Sequence, residues 1–345
     1  MTTMSLIKTT TIPSGIVVRR NLGVYDVQYG EDIISCGLSS RFQPVNPLQK
    51  NSKGKQISDK RKQSEGKNPA NDGRGEPVVV GDLVQFSIHH KGKGSILSVL
   101  PRRNWLSRRS PVPMPSARPY EMVIAANIDQ VVAVFAAADP PPRWNMLDRY
   151  LVSAESSNLP AVVCITKLDL VKNNNGLRVE IEQAVERYRQ IGYPVLLASA
   201  VTGDGLAEVK AALQGKLSVL VGKSGVGKTS LLNALQPGLG QRVGAVSQVT
   251  GKGRHTTSQQ ELFHLSFGGA IIDTPGVREF GLWDMHPEDI AGFFPEMQPF
   301  LGLCKFGLDC VHNEEPGCAV RAAVMAGTIN PQRYQSYLKL RQEIV

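Results

Sequence analysis

The sequence contains few cysteines and no long hydrophobic run, and each scarcity excludes a class of protein. Five cysteines in 345 residues are an odd count, and their spacing does not suit the disulfide framework of a secreted protein. No apolar stretch approaches the roughly 20 residues of a membrane-spanning helix, and residues 1–15 lack the apolar segment of a secretory signal. We therefore expect a cytoplasmic protein without a membrane partner.

Positive charge is concentrated at one end of the chain. Residues 1–118 hold 19 Lys and Arg against 8 Asp and Glu, whereas residues 119–345 hold 20 against 22. A solvated basic surface is one explanation. A localised excess of this size is more typical of a protein that binds a polyanion such as RNA.

The first third of the chain predicts a small β-barrel of the OB-fold type, because short strand-like runs alternate with Gly-rich turns. These runs are Gly15–Arg20, Val24–Tyr29, Ile33–Leu38, Val78–Ile88 and Ser95–Leu100. Residues 50–76 are rich in Lys, Gly, Asn and Ser and predict a disordered basic insert. The Pro- and Arg-rich residues 101–119 predict an extended basic connector.

From Asp129 onward, apolar strands alternate with helices, which is typical of a parallel sheet covered on both faces. The strands are Val131–Ala136, Ala161–Ile165, Pro194–Ala198, Leu217–Val221 and Ala270–Ile272. This alternation stops after about Leu282, and a Cys/His cluster and a final helix follow. The sequence thus predicts a multidomain protein: an N-terminal OB-fold RNA-binding β-barrel (1–117), a central α/β P-loop domain (118–282) and a C-terminal, mainly helical zinc-binding domain (283–345).

A phosphate-binding loop is predicted at Gly222–Thr229, where GKSGVGKT matches G-x-x-x-x-G-K-[ST] between a strand and a helix-like run. A chance Gly-rich turn is the alternative, but it would not require those flanking elements. Backbone N–H groups would surround the phosphates, Lys228 would reach the β and γ phosphates, and the Thr229 hydroxyl would bind Mg²⁺. The residues expected at the phosphates are Gly222, Lys223, Ser224, Gly225, Val226, Gly227, Lys228, Thr229, Ser230 and Gly276.

Two further segments are expected to complete the magnesium site. Asp273 follows an apolar strand and offers a carboxylate to Mg²⁺, while the Gly276 N–H would face the γ-phosphate. Thr256 or Thr257, in a polar loop between the P-loop and Asp273, would add a hydroxyl when triphosphate is bound.

Guanine recognition is predicted in two segments that follow strands, Thr166-Lys167-Leu168-Asp169 and Ser199-Ala200. Asp169 can accept hydrogen bonds from N1 and the exocyclic amino group of guanine, which adenine cannot donate. The Lys167 stem would lie along the base, and the Ala200 N–H would meet O6. The usual motif begins with Asn, so Thr166 is expected to weaken a supporting hydrogen bond.

The order of these motifs is circularly permuted, because the base-binding segments precede the P-loop. The arrangement can still form one site, since ligand sites of such sheets gather at the carboxyl ends of strands.

A structural zinc site is predicted from Cys304, Cys310, His312 and Cys318. Three thiolates and an imidazole fill a closed tetrahedral site and leave no position for an activated water. The remaining Cys36 and Cys164 lie in apolar runs and are expected to be inert core residues.

The chain resembles the RsgA (YjeQ/YloQ) family of circularly permuted GTPases over nearly its whole length. The likeness is carried by Val80-Gly81-Asp82, Val99-Leu100-Pro101-Arg102, GKSGVGKTS, GRHTTS, DTPGVREFGLWD and CKFGLDCVHNEEPGCAV. The resemblance implies an OB-fold, a permuted GTPase domain and a zinc domain, with GTP hydrolysis to GDP stimulated by the small ribosomal subunit. It also implies contact with rRNA, a role in late subunit maturation and release on hydrolysis. We expect a monomer with one zinc per chain and Mg²⁺ bound with GTP.

The chain departs from the family pattern at Thr166, at one extra residue between Cys304 and Cys310, and in the basic insert. His255 resembles the proposed catalytic histidine of the family. It would be needed because Val277, after the Gly276 of the DTPG motif, cannot orient water. The alternative is an exposed loop histidine without a catalytic role.

Two other functions stay open on the sequence alone: a P-loop ATPase or nucleotide kinase with a nucleic-acid-binding module, and a non-enzymatic zinc and OB-fold RNA-binding protein. Base preference separates the first from a GTPase, because only a guanine site requires Asp169.

Overall fold

A computed structural model describes residues 12–43, 77–109, 121–240, 243, 260–273 and 285–344. The predicted basic insert at 50–76 lies outside the described residues.

The N-terminal strands form a closed barrel, which confirms the predicted OB-fold. Its strands are β1 (Ser14–Asn21), β2 (Val24–Tyr29), β3 (Asp32–Gln43), β4 (Leu83–Ile88) and β5 (Lys93–Val99). The strand order is β1-β2-β3-β5-β4, and β4 pairs back with β1. Alternate side chains point inward, as the strand period requires, so that Val17, Val27, Phe86 and Ile96 are fully buried in its core.

The fourth strand is shorter than predicted. Residues 78–82 form a turn instead, in which Gly81 has φ +90° and a Cβ would collide with the Ala126 carbonyl oxygen. The buried Asp82 carboxylate accepts the Val79 N–H at 2.8 Å and pairs with Arg102 at 2.7 Å. The prediction of a strand over 78–82 was wrong because the Asp82 carboxylate closes a local turn here, and the backbone bonds of Val80 to Ala126 and of Gly81 to Val17 do not extend into a regular ladder.

The predicted connector contains a strand. Strand β6 (Trp105–Arg109) pairs antiparallel with β7 (Glu121–Ala126), and Trp105 lies opposite Ala126. The prolines of residues 101–119 lie outside β6, so they do not interrupt this ladder.

The central region has the predicted α/β architecture. Its strands are β8 (Gln130–Ala136), β9 (Ala161–Thr166), β10 (Val195–Leu197), β11 (Leu217–Val221), β12 (Gln260–His264) and β13 (Ala270–Asp273). The order is β10-β9-β8-β11-β13-β12, parallel except for the edge strand β12. The helices are α1 (Trp144–Ser156), α2 (Asn175–Ile191), α3 (Leu206–Leu213) and α4 (Lys228–Leu235). Two apolar clusters bury the two faces of this sheet.

The barrel and the central sheet are joined edge to edge. Strand β12, which the sequence did not indicate, pairs antiparallel with β1, so Arg19 lies opposite Glu261 and Arg20 opposite Gln260. We call this pairing the β1–β12 seam. One sheet of 11 strands therefore runs through both regions.

The C-terminal region, residues 285–344, consists of short 3₁₀ turns and the helices α5 (Ala319–Met325) and α6 (Pro331–Ile344). Its apolar cluster includes Phe294, Tyr337 and Val152 of α1. Within the described ranges, the helices are too short or too polar to cross a membrane.

A buried ionic cluster joins this region to the central one. The Arg333 side chain on α6 is 0% exposed and lies 2.6 Å from Asp148 of α1 and 2.6 Å from Glu296. Tyr188 of α2 donates its hydroxyl hydrogen to Asp148 at 2.7 Å, and the Phe294 ring lies 4.6 Å from the guanidinium. Every charge of this Arg333 cluster thus has a partner, as burial requires.

Candidate functional site

The predicted P-loop forms the turn between β11 and α4. At its start Gly222 has φ +153°, and a Cβ would collide with the Val134 carbonyl oxygen of the neighbouring strand. At its end Gly227 has φ +94° and directly precedes the first turn of α4. Glycine is required at both positions, and the loop presents backbone N–H groups together with the positive end of the helix.

Lys228 folds back over this loop. Its Nζ donates to the Gly222 carbonyl oxygen at 2.5 Å and to that of Lys223 at 2.8 Å. Thr229 and Ser230 are exposed in the first turn of α4. These side chains therefore lie at the predicted phosphate-binding loop, and their contact with phosphate stays a prediction.

The first predicted base-binding segment is bonded to the P-loop. The Thr166 hydroxyl, buried at the end of β9, lies 2.5 Å from the Val226 carbonyl oxygen and 3.1 Å from that of Phe135. A Cβ on Gly227 would lie 3.3 Å from the same hydroxyl. Thr166 therefore links the two segments directly, and the expected weaker support from Thr in place of Asn stays a prediction.

The loop after β8 is a part of the site that the sequence did not indicate. Lys167 has φ +57°, and its Nζ donates to the main-chain carbonyl oxygen of Asp139. The ring of Pro140 is the nearest group to the open side of Gly225 in the P-loop. The only available signal was that β8 ends at the same edge of the sheet as β9 and β11, because a main-chain contact requires no particular side chain.

The second predicted base-binding segment donates a hydrogen bond to the Asp169 carboxylate of the first. The Ser199 hydroxyl, buried after β10, donates to Asp169 at 2.5 Å and accepts the Thr202 N–H at 3.2 Å. Leu168 is tied to the same turn through its N–H, which donates to the Ala198 carbonyl oxygen at 3.4 Å. Ser199 thus orients Asp169, and Ala200 follows directly in the same turn.

Asp273 is the last residue of β13, which pairs in parallel with the P-loop strand β11. Its backbone lies at the carboxyl edge of the sheet, as predicted. Gly276, His255, Thr256 and Thr257 lie outside the described residues, so their roles stay predictions.

The predicted zinc ligands converge in the C-terminal region. Cys304, Cys310, His312 and Cys318 are all buried, and their ligand atoms lie within 4.8 Å of one another. The Sγ atoms of Cys304 and Cys318 are 3.9 Å apart, and each is 3.5 Å from His312 Nδ1. A zinc tetrahedron has edges of about 3.8 Å between sulfurs and about 3.5 Å between sulfur and nitrogen. The cluster therefore fits zinc, and the extra residue after Cys304 does not separate the ligands.

The surroundings of His312 fix its ring and its backbone. Burial lowers the pKa of His312, which keeps its imidazole in the neutral, metal-binding form. Tyr334 donates to the His312 carbonyl oxygen at 2.7 Å, and Glu315 accepts the Asn313 N–H at 2.8 Å. By contrast, burial raises the pKa of Cys164 to about 12, which keeps its thiol protonated as expected of a core residue.

Comparison with known proteins finds a matching family model and several relatives. The model of the family described as RsgA GTPase matches residues 99–283. Two relatives are described as small ribosomal subunit biogenesis GTPase RsgA. The protein from Gemmatimonas aurantiaca is 46% identical over 270 residues, covering 78% of this chain and 85% of its own length. That from Ectopseudomonas mendocina is 45% identical over 260 residues, covering 75% and 73%.

Two solved structures share the fold. YjeQ from Thermotoga maritima superposes with a TM-score of 0.70 at 31% identity, covering 96% of this chain and 98% of its own. YloQ, described as a circularly permuted GTPase, gives 0.66 at 27% identity, covering 98% and 96%. None of these relatives is described as an ATPase, a kinase or a non-enzymatic protein, so both alternatives lack support. The chain belongs to the RsgA family of circularly permuted GTPases.

Proposed function

We propose that this GTPase binds GTP at the carboxyl edge of the central sheet and cycles on and off the small ribosomal subunit as a late-stage assembly factor. Residues 222–230 and Gly276 hold the phosphates, and residues 166–169 with Ser199 and Ala200 hold the guanine. Thr229, Asp273 and either Thr256 or Thr257 hold Mg²⁺, which supplies electrostatic stabilisation of the charge on the transferred phosphoryl group.

One observation carries this assignment: the hydroxyl of Thr166 lies 2.5 Å from the carbonyl oxygen of Val226. This contact brings a base-binding segment against a phosphate-binding loop that lies 60 residues further along the chain. The permuted motif order therefore yields a single compact nucleotide site. Ser199 at 2.5 Å from Asp169 then fixes the carboxylate that selects guanine.

The proposal that the partner is the small ribosomal subunit rests on the descriptions of the relatives and on the distribution of positive charge. The curated relatives are described as small ribosomal subunit biogenesis GTPases, and the excess positive charge of this chain falls within residues 1–118. A barrel with a basic insert suits contact with rRNA phosphates. We assign residues 1–117 to rRNA binding, 118–282 to the GTPase and 283–345 to a domain held by one zinc, in a cytoplasmic monomer.

GTP hydrolysis needs a group that orients water, because Val277 cannot. We assign this role to His255, acting once the subunit has positioned its loop. Purified small subunits should stimulate the wild-type protein by at least about tenfold, and His255→Ala should lose most of that stimulation.

The test is GTP turnover with and without purified small subunits at two salt concentrations. Stimulation should fall at the higher salt, since phosphate contacts release counterions. ATP bound as tightly as GTP would contradict the guanine site. Equal turnover with and without subunits would contradict the partner.

A further inference from the structure

A buried amide joins the barrel to the segment that leads into the central sheet. Asn127, which is 7% exposed, donates from Nδ2 to the Gly81 carbonyl oxygen at 2.9 Å. Its Oδ1 accepts the Arg103 N–H at 2.9 Å, and its main-chain carbonyl oxygen accepts from the Arg103 guanidinium at 2.9 Å. Gly81 belongs to the barrel, since its N–H donates to the Val17 carbonyl oxygen of β1. We call Gly81, Arg103 and Asn127 the Asn127 junction.

The barrel and the end of β7 touch directly at this junction. The Ala126 N–H donates to the Val80 carbonyl oxygen at 3.1 Å, and a Cβ on Gly81 would lie 2.2 Å from the Ala126 carbonyl oxygen. Asn127 has φ +56°, a left-handed conformation that Asn tolerates better than most residues do. Both polar atoms of its amide are paired, as burial requires. The junction is therefore closely packed.

The Asn127 junction continues to the strand that carries the P-loop. The Arg103 guanidinium pairs with Asp129 at 2.9 Å. Asp129 donates its N–H to the Leu217 carbonyl oxygen at 2.8 Å, and its carboxylate accepts the Leu217 N–H at 2.8 Å. Leu217 is the first residue of β11, and the P-loop follows the last residue of that strand. The junction thus fixes the start of β11 relative to the barrel.

The β1–β12 seam attaches the barrel to the central sheet at a different place. The seam pairs two residues of each strand, and Gln28 of β2 also lies 2.7 Å from His264 of β12. A body attached along one line can still turn about that line. The Asn127 junction reaches the segment before β8, which is three strands from β12 in the order β8-β11-β13-β12. Together the two attachments fix the orientation of the barrel.

We propose that Asn127 is a positioning residue for stimulated GTP hydrolysis: it holds the barrel in the orientation at which a subunit bound to the barrel also contacts the nucleotide site. Two surfaces of one molecule engage a partner together only when their geometry matches it. Asn127 itself lies at the amino edge of the sheet, away from the nucleotide site at the carboxyl edge. This inference rests on the proposed stimulation by small subunits and on the assignment of the barrel to rRNA.

Asn127→Asp tests the contact with the least change of shape. Oδ1 still accepts the Arg103 N–H, but the second carboxylate oxygen faces the Gly81 carbonyl oxygen, so a hydrogen bond becomes a repulsion. Asn127→Gly is the second variant and serves if the buried charge prevents folding. It permits the left-handed backbone and removes the side chain.

The experiment measures GTP turnover per nucleotide-binding site against the concentration of purified small subunits, at saturating GTP. Both variants should keep the unstimulated turnover within about twofold and lose at least about fivefold of the maximal stimulated turnover, because a misplaced site reacts slowly. The subunit concentration at half-maximal stimulation should shift by less than about twofold, because the phosphate contacts of the barrel are unaltered.

Asn104→Asp is the matched control. The Asn104 amide makes the same pair of bonds with Ile128, accepting its N–H at 2.8 Å and donating to its carbonyl oxygen at 2.8 Å. These bonds join the connector to the segment before β8 and do not reach the Gly81 turn. The substitution therefore introduces a similar repulsion without loosening the barrel, and stimulation should equal that of the wild-type protein.

Unchanged stimulation in Asn127→Gly, or an equal loss in Asn104→Asp, would overturn the inference and leave the proposed function intact. A merely structural role would lower unstimulated and stimulated turnover in the same proportion, so an unchanged ratio of the two would also overturn it. A raised half-maximal subunit concentration with full maximal stimulation would assign Asn127 to binding and not to positioning. A wild-type chain that subunits do not stimulate would overturn the proposed function, and this inference with it.

Discussion

The hydroxyl of Thr166 links the predicted base-binding segment to the P-loop. Because it reaches the Val226 carbonyl oxygen at 2.5 Å, it holds the base-binding segment against the P-loop. Thr166→Val keeps the shape and removes this bond, which should cost about 1 kcal/mol and weaken GTP binding about fivefold. Titration with a fluorescent GTP analogue measures the change.

Thr166→Ser is the control for this prediction, because it keeps the hydroxyl and loses only a methyl group. It should bind GTP nearly as well as the wild-type chain. If both variants were equally weak, packing of the methyl group and not the hydrogen bond would explain the effect.

Asp169 is expected to determine base choice. Asp169→Asn replaces an acceptor by an amide that can donate to the 2-oxo group of xanthine. GTP affinity should fall about tenfold to a hundredfold, and xanthosine triphosphate should become the better ligand. Competition binding with both nucleotides gives the preference.

Asp204→Asn is the matched control for Asp169→Asn. Asp204 is an exposed carboxylate in the turn beyond Ser199, where it pairs with Lys172 at 2.9 Å. The substitution should leave base preference unaltered. A switch of preference in Asp204→Asn, or none in Asp169→Asn, would contradict the assignment.

At the residue scale, the sequence could indicate groups whose chemistry depends on their side chains. The glycines of the P-loop, Asp169 and the four predicted zinc ligands are of this kind. The Asp139 carbonyl oxygen that accepts from Lys167 was not predictable, because every residue carries a carbonyl group. The hydrogen bond from Ser199 to Asp169 was also missed, since it depends on how two strand ends meet.

At the scale of elements, the predicted zinc cluster is expected to determine whether the C-terminal region folds. Its ligands lie on turns between short elements, and metal binding is expected to supply folding free energy there. Cys310→Ala should lose the metal and make residues 285–344 sensitive to proteolysis. Metal content by atomic absorption, with mapping of cleavage sites, checks both outcomes.

Cys164→Ala provides the comparison, because Cys164 is buried in β9 away from the cluster. This variant should retain about one zinc per chain. A full complement of zinc in Cys310→Ala would show that the cluster does not bind the metal as assigned.

Strands were predictable where their apolar sequence pattern was strong. Strands β8, β9 and β11 are almost entirely apolar, as expected of strands buried on both faces, and their positions are confirmed. Strand β12 (QELFH) was missed because a strand of five residues with polar positions resembles a loop. Strand β6 was missed because neighbouring prolines dominated the composition.

At the scale of the whole molecule, the regions are joined by contacts between distant parts of the chain. The bond from Arg19 to Glu261 spans 242 positions, and no local pattern in either strand could have indicated it. Exposed polar side chains at both positions would equally suit two separate sheets. Only the assembled fold makes the barrel and the central strands one continuous sheet, which is why the β1–β12 seam was not predictable from the sequence.

The Arg333 cluster is the second long-range link between regions, and its loss should lower the free energy of unfolding. Arg333→Met leaves the Asp148 and Glu296 carboxylates buried without their cation, which should lower the free energy of unfolding by about 3–5 kcal/mol. Urea unfolding at neutral pH measures this change.

Glu343→Gln, on the same helix, breaks a surface pair with Arg149 and should cost less than about 1 kcal/mol.

Adding Asp148→Asn and Glu296→Gln to Arg333→Met should recover part of the lost stability, because no unpaired charge then remains in the interior. If instead the triple variant were less stable than Arg333→Met, the cluster would stabilise the protein by packing and hydrogen bonding more than by charge. If Arg333→Met were no worse than Glu343→Gln, the cluster would not hold the C-terminal region against α1, and the apolar contacts of Phe294 and Val152 would have to do so.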